Sequence, residues 1–400
     1  MKKLITLSLF FAIAYLFSCA PKQTAKCPAG ESEQQYVLGM TALEKEDVNT
    51  AIEKFNRASF CDEKSSKANS GMAIAHAIKA SQQKDPGFRQ VEAKRVEDYL
   101  EKAKKQISSP EDEFDYKLAI IRSYTYIQPK DWLEKAEDAY KDAKKLKVDE
   151  RKLSYYQGKE SADYFMGLAY MNAYEFSKAR DRFQAVLSAK RDSKWHEPAD
   201  RAWKRVDKIV RALGGISVGD VAKRIAVKDS VSRADLTALL VIEVKVDKLF
   251  AGRIPVQSQV EKMQAEFVPA DILNHPFKNE IITILKWKVR GLEPIYDQTT
   301  KAYLYKPDNL VTRGEMALIL EDVLIKLTGD ESIARAYLGH ERSPFPDIRP
   351  TSPIYNAVMS VTTRGLMEPE LSGEFRADKP VDGAEAILAI RVLKQRMNIQ

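Results

Sequence analysis

Cysteine is scarce in this 400-residue chain: there are three, Cys19, Cys27 and Cys61, and no Cys-x-x-Cys pair or Cys/His cluster. Structural zinc modules need closely spaced thiolate or imidazole ligands, so a metal site is not expected. The four histidines, His76, His196, His275 and His340, stand apart without an i, i+4 partner. A Walker loop and a dinucleotide fingerprint are both missing, and no cofactor is expected. Gly215-Ile216-Ser217-Val218-Gly219 formally fits the G-x-S-x-G nucleophile elbow. That elbow requires a strand before it, however, and an amphipathic helical pattern precedes this one. The acidic run Glu111-Asp112-Glu113 reads as a solvated charge run rather than an acid/base pair. Long Gly/Ser and Pro tracts are absent, and the net charge of +7 is dispersed, with acids interleaved among Lys and Arg. Such mixing gives a solvated surface rather than a basic stripe, which argues against nucleic-acid binding. The expectation is a non-enzymatic chain of two or three domains.

What is present begins with Lys2 and Lys3, followed by the uncharged run Leu4 to Phe17. As a helix, that run falls short of the roughly 30 Å of hydrocarbon in a bilayer, but it suits a signal-peptide core. It ends in Leu16-Phe17-Ser18-Cys19, followed by Ala20. This resembles the lipobox of bacterial lipoproteins, which implies a signal peptide over 1–18, a lipid on Cys19 and a polar tether over 19–33. Two or three acyl chains, at about 0.8 kcal/mol per buried methylene, anchor a protein firmly to a membrane. Ala20 is not aspartate, and the resemblance then implies the outer membrane, with the periplasmic face favoured over the cell surface. Cys27 and Cys61 remain as either a disulfide or two free thiols.

From about residue 34 to 190 the pattern is helical. Gly39, Ala51 and Phe55 recur in spacing as Gly167, Ala179 and Phe183, with twelve residues from Gly to Ala and four from Ala to Phe in both. Weaker versions contain Tyr124, Ala136, Tyr140 and Ala143, and Val96, Leu100, Ala103 and Ile107. Small residues at helix crossings with an aromatic between them resemble tetratricopeptide repeats. The resemblance implies stacked hairpins whose concave face, lined here by Lys, Glu and Tyr, binds a protein partner.

The C-terminal half holds three copies of one unit, over 195–246, 267–328 and 343–397. In each, an amphipathic helix runs to a glycine, a loop follows, and a second helix opens with a capping pair: Ser232 with Asp235, Thr312 with Glu315, Asp382 with Glu385. Copies two and three carry an aromatic and a basic residue in the loop before Pro or Asp, whereas the first loop, Ser217 to Lys228, lacks the aromatic. With Ser232-Arg233-Ala234-Asp235 and Thr312-Arg313-Gly314-Glu315, the copies resemble S-layer homology domains. The fold class expected for the whole chain is therefore all-α: a helical-hairpin solenoid followed by a pseudo-threefold helical module with short loops or strands.

That resemblance implies that Arg233 and Arg313, beside Ser232 and Thr312, grip peptidoglycan or an acidic wall polysaccharide. A guanidinium next to a helix N-terminus can hold a carboxylate bidentately. Trp203, Tyr303 and Tyr305 are the candidates for stacking on sugar faces. Gly383 replaces the arginine in copy three, where Arg376 or Arg364 is the substitute. The function expected is a lipoprotein linking the outer membrane to the wall. The alternative is an envelope scaffold in which both halves bind proteins.

Overall fold

The computed structural model describes residues 27–189, 193–214, 219–253 and 257–398. Cys19 and the signal-peptide run lie outside the described residues, as do residues 215–218 of the G-x-S-x-G match. The fold is all-α, as the patterning predicts. Among the described residues the only strands are β1 (Ile295–Asp297) and β2 (Ala302–Leu304), which form one antiparallel hairpin. No described helix is long and apolar enough to cross a membrane. The chain divides into two compact units at Gly158/Lys159.

The first unit is three stacked hairpins: α1 (Glu31–Glu44) with α2 (Val48–Cys61), α3 (Ser66–Gln82) with α4 (Pro86–Lys105), and α5 (Pro110–Ile127) with α6 (Trp132–Lys145). Asp47, Ser65, Asp85 and Ser109 cap α2 to α5 by accepting backbone N–H bonds in the first turn, so each helix begins where its sequence supplies a short acceptor. The fully buried Phe55 ring lies between Gly39 and Gly71, and a Cβ on either glycine would stand 2.4 Å from the ring. This close approach is the physical content of the glycine–phenylalanine spacing. The Cys27–Cys61 disulfide is formed, with Cα atoms 5.5 Å apart, and ties the segment before α1 to the end of α2. Closing a loop of 34 residues contributes about 3–4 kcal/mol on the chain-entropy account. His76, isolated in sequence, is a buried core residue: Nδ1 lies 2.6 Å from a Glu92 carboxylate oxygen and the ring stacks on Tyr99.

The face expected to be open is occupied. After α6 the chain folds back, burying Leu153, Tyr155 and Tyr156. Tyr156 packs edge-on to Phe114 of α5, and the Arg122 guanidinium lies 5.7 Å over the Tyr155 ring. Both tyrosines also meet α1, at Glu44 and Tyr36. Because α3 sits between α1 and α5, this strap crosses the inner face of the stack. Beneath it Asp115 is 2% exposed, and burial pushes its carboxyl up to about 7 against the opposing pull of Lys67, with Glu33 and Asp112 adding to the rise.

The second unit opens with the fourth hairpin, α7 (Glu160–Asn172) and α8 (Phe176–Leu187), which packs on α9 (His196–Leu213), so the unit boundary falls at Gly158/Lys159 and not near 190. Gly167 and Phe183 repeat the tight crossing, with a Cβ position 2.6 Å from the ring. There follow α10 (Asp220–Ala226), α11 (Arg233–Ala238), α12 (Val246–Ala251), α13 (Gln257–Lys262), α14 (Lys278–Lys286), the β hairpin, α15 (Arg313–Thr328), α16 (Tyr355–Thr363) and α17 (Gly383–Arg396). Outer helices α9, α14 and α16 and inner helices α11, α15 and α17 define three lobes. Gly365 (φ 65°) stops α16 in the left-handed conformation as expected. Gly214 does not, having φ −58°. Helix α14 stops short of Gly291, breaking at Lys288 in the left-handed conformation (φ 48°), and Trp287 before it donates Nε1–H to Asp247 at 2.6 Å and packs on Phe250. Helix α11 passes into a π-helical turn, Leu239–Val244, and breaks at Lys245 (φ 62°).

Two outcomes test the first unit. Gly71→Ala should cost about 1–3 kcal/mol through overpacking against Phe55, read as a lowered thermal midpoint that Phe55→Leu partly restores. Asp115 holds its proton when folded up to pH about 7, whereas its unfolded carboxyl ionises near about 4. The Asp115 contribution to stability should therefore be full below about pH 4 and fall as pH rises to about 7, and the urea midpoint of Asp115→Asn should lack this component of the pH dependence.

Candidate functional site

The inner helices of the second unit begin at a common centre. Val311 N–H donates to Val231 O (3.0 Å), Val381 N–H to Val311 O (3.0 Å), and Val231 N–H to Val381 O (2.8 Å), closing a ring of three bonds. Ser232 and Thr312 form complete capping boxes with Asp235 and Glu315. Asp382 accepts from the Glu385 N–H, but the reciprocal half is not made, because the Glu385 carboxylate turns to Arg313.

The first-turn N–H groups of these helices are already satisfied. Arg233 N–H donates to Asn309 O (2.9 Å) and Ala234 N–H to Pro307 O (3.0 Å). Arg313 N–H donates to Lys379 O (2.9 Å) and Gly314 N–H to Ala377 O (2.8 Å), each in the loop of the following lobe. An anion at either helix start would have to displace these carbonyls.

The arginines behave the same way, and this differs from the expectation of an open groove. Arg233 is buried, and its Nε, Nη1 and Nη2 donate to Tyr305 O, Gly291 O and Glu293 O at 2.8–2.9 Å. Its guanidinium also lies 4.9 Å over the Tyr305 ring. Arg313 repeats the arrangement one lobe on, donating to Phe375 O (2.7 Å), Glu368 O (2.6 Å) and the Glu385 carboxylate, 4.7 Å over the Phe375 ring. Asp271 holds the first receiving loop by accepting from Tyr305 and Lys306 N–H, and Asp347 holds the second through Phe375 and Arg376 N–H. These two aspartates were not singled out in the sequence, although Pro-Ala-Asp and Pro-Asp recur in copies two and three and mark them.

The third junction has no arginine because it has no room for one. A Cβ on Gly383 would stand 1.8 Å from the Ile225 carbonyl oxygen. That carbonyl belongs to α10, which occupies the stretch where lobe one was expected to have a loop. Lys208 pairs with Asp382, and Arg391 donates to Gly214 O (3.2 Å), so surface contacts bridge this junction instead. Arg376 does not take the vacant role: it is exposed and pairs with Glu374 at 3.1 Å. Arg364 caps its own helix through Ser360 O (3.0 Å).

Tyr305, proposed for stacking, is fully buried, and its hydroxyl lies 2.5 Å from that of Thr237. Trp203 is half-buried on α9. Tyr303 is 56% exposed and belongs to an aromatic face that was only partly read. It pairs across the β hairpin with Tyr296, with ring centroids 5.3 Å apart, and Phe267 stands 6.2 Å away. Beside Phe267 opens a cleft of about 290 Å³ lined by Leu285, Val289, Leu292 and Pro294, with Glu266, Lys288 and Glu293 also lining it. The signal for Tyr296 lay in the strand–turn–strand pattern Ile295-Tyr296 and Ala302-Tyr303-Leu304 around a polar turn.

Residues 344–387 match the S-layer homology domain model, which falls on the third lobe and associates the protein with the cell envelope and with cell-wall or cell-surface anchoring. No curated protein and no solved structure matches the chain.

Arg313→Ala leaves the Glu385 carboxylate and two carbonyls without their donor. Breaking a buried pair of this kind should cost about 3–5 kcal/mol, seen as a lower denaturant midpoint, and Arg313→Lys should not restore it because an ammonium cannot span the three acceptors. Arg376→Ala, on the surface, should change the midpoint by less than about 0.5 kcal/mol.

Proposed function

We propose that this protein is a non-enzymatic envelope lipoprotein, held in the outer membrane by acyl chains on Cys19, whose C-terminal unit grips peptidoglycan or an attached wall glycan. The observation that carries this reading is the closed ring through Val231, Val311 and Val381, which makes the lobe matched to the S-layer homology domain one third of a single threefold module. On this reading the segments at 195–246 and 267–328 are diverged copies of the matched one. Arg233 and Arg313 act as positioning residues that lock successive lobes together, while exposed groups, Tyr303 and Arg376 first among them, meet the glycan. The hairpin repeats set distance from the membrane and present a surface to a protein partner. Recognition is non-covalent and needs no cofactor.

The internal engagement of both motif arginines favours a second reading, an envelope scaffold whose module binds protein. The two readings part on one measurement. The full mature chain, without its lipid, is mixed with purified sacculi and sedimented. The anchoring reading expects the protein in the pellet, and protein that stays in the supernatant at every sacculus concentration rejects it in favour of the scaffold.

A further inference from the structure

We propose that the aromatic face of the β hairpin, with the cleft beside Phe267, is a saccharide site that takes an uncharged N-acetylated hexosamine chain rather than an acidic glycan. The proposal rests on the wall-glycan reading and names the ligand class and the place.

Three features point there. First, Tyr296, Tyr303 and Phe267 are 44%, 56% and 42% exposed and form one surface, where aromatic rings ordinarily bury their faces. A contiguous exposed aromatic patch marks an interaction site. The C–H face of a pyranose places partial positive hydrogens against the negative face of an aromatic ring, so such a patch suits a sugar chain.

Second, the cleft has an apolar lining with polar groups beside it, which matches an acetamido group: a methyl that prefers burial joined to an amide that needs hydrogen bonds.

Third, the cation that lines the cleft is paired. Glu266 pairs with Lys288 at 2.5 Å and Asp297 with Lys306 at 2.8 Å, and the Glu293 carboxylate accepts the Gly291 N–H at 2.6 Å. Among the described residues lining the cleft no cation is left over to hold a carboxylate, and Arg233 and Arg313 are engaged inside the module. The hairpin is also an addition to the common unit. Lobe three has a short turn in its place, closed by Glu370 N–H to Glu374 O at 2.9 Å, so removing aromatics from the hairpin leaves the threefold centre intact.

The test is calorimetric titration of the full mature chain with a soluble N-acetylglucosamine oligomer, at low and high ionic strength. Binding should be insensitive to salt, since no charge is neutralised. Tyr303→Ala and Tyr296→Ala should each weaken it by about tenfold, with the thermal midpoint unchanged. Binding confined to an anionic wall fragment, falling with salt and indifferent to Tyr303→Ala, overturns the proposal. So does a self-associated chain that Tyr303→Ala makes monomeric and that binds no oligosaccharide. Sacculus sedimentation is run on the same variants to separate this site from the broader reading. Wild-type pelleting that Tyr303→Ala leaves untouched keeps the anchor and rejects the site. Oligomer binding without any pelleting keeps the site and rejects the anchor.

Discussion

A helix cannot start inside a protein without something to accept its first N–H groups, and in the C-terminal unit the inner helices at the first two junctions delegate that task to a neighbour. The carbonyls of one loop receive the backbone N–H groups of the preceding helix and the guanidinium that follows its cap. A lobe taken alone would leave these donors unmet at about 1–3 kcal/mol each. The lobes are therefore interdependent by hydrogen-bond accounting as well as by apolar packing. That interdependence explains why the arginine sits where it does: it is the longest donor able to reach from one helix start across to the next loop.

The same accounting shows how much of the site could be read from the sequence. The capping pairs Ser232/Asp235 and Thr312/Glu315 were legible because both partners lie within one turn, and local spacing encodes them. The occupation of Arg233 and Arg313 was not, since their acceptors lie more than fifty residues away and all but the Glu385 carboxylate are backbone carbonyls, which carry no sequence signature. Gly383 illustrates the point from the other side. In the sequence it reads as a lost ligand; in the structure it is the residue that lets the Ile225 backbone pass. Burial separates Tyr303 from Tyr305, which regular strand alternation would place on one face, because β2 ends at Leu304 and Asp271 draws Tyr305 into the loop beneath Arg233.

In the first unit the helical spacing was legible for the same local reason: glycine, alanine and phenylalanine at fixed offsets describe one crossing, and Gly39, Gly71 and Gly167 each meet a ring. The unit boundary was less so. The fourth hairpin has the repeat pattern, yet it packs with α9 and belongs to the second unit.

That strap changes the terms on which the solenoid's inner face can be used. Tyr155 and Tyr156 belong to the same chain as the helices they cover, so they contend for the face at an effective concentration on the order of millimolar however dilute the protein is. A free peptide would have to compete with side chains that never diffuse away. The covering thus sets a threshold that any occupant of this face would have to exceed.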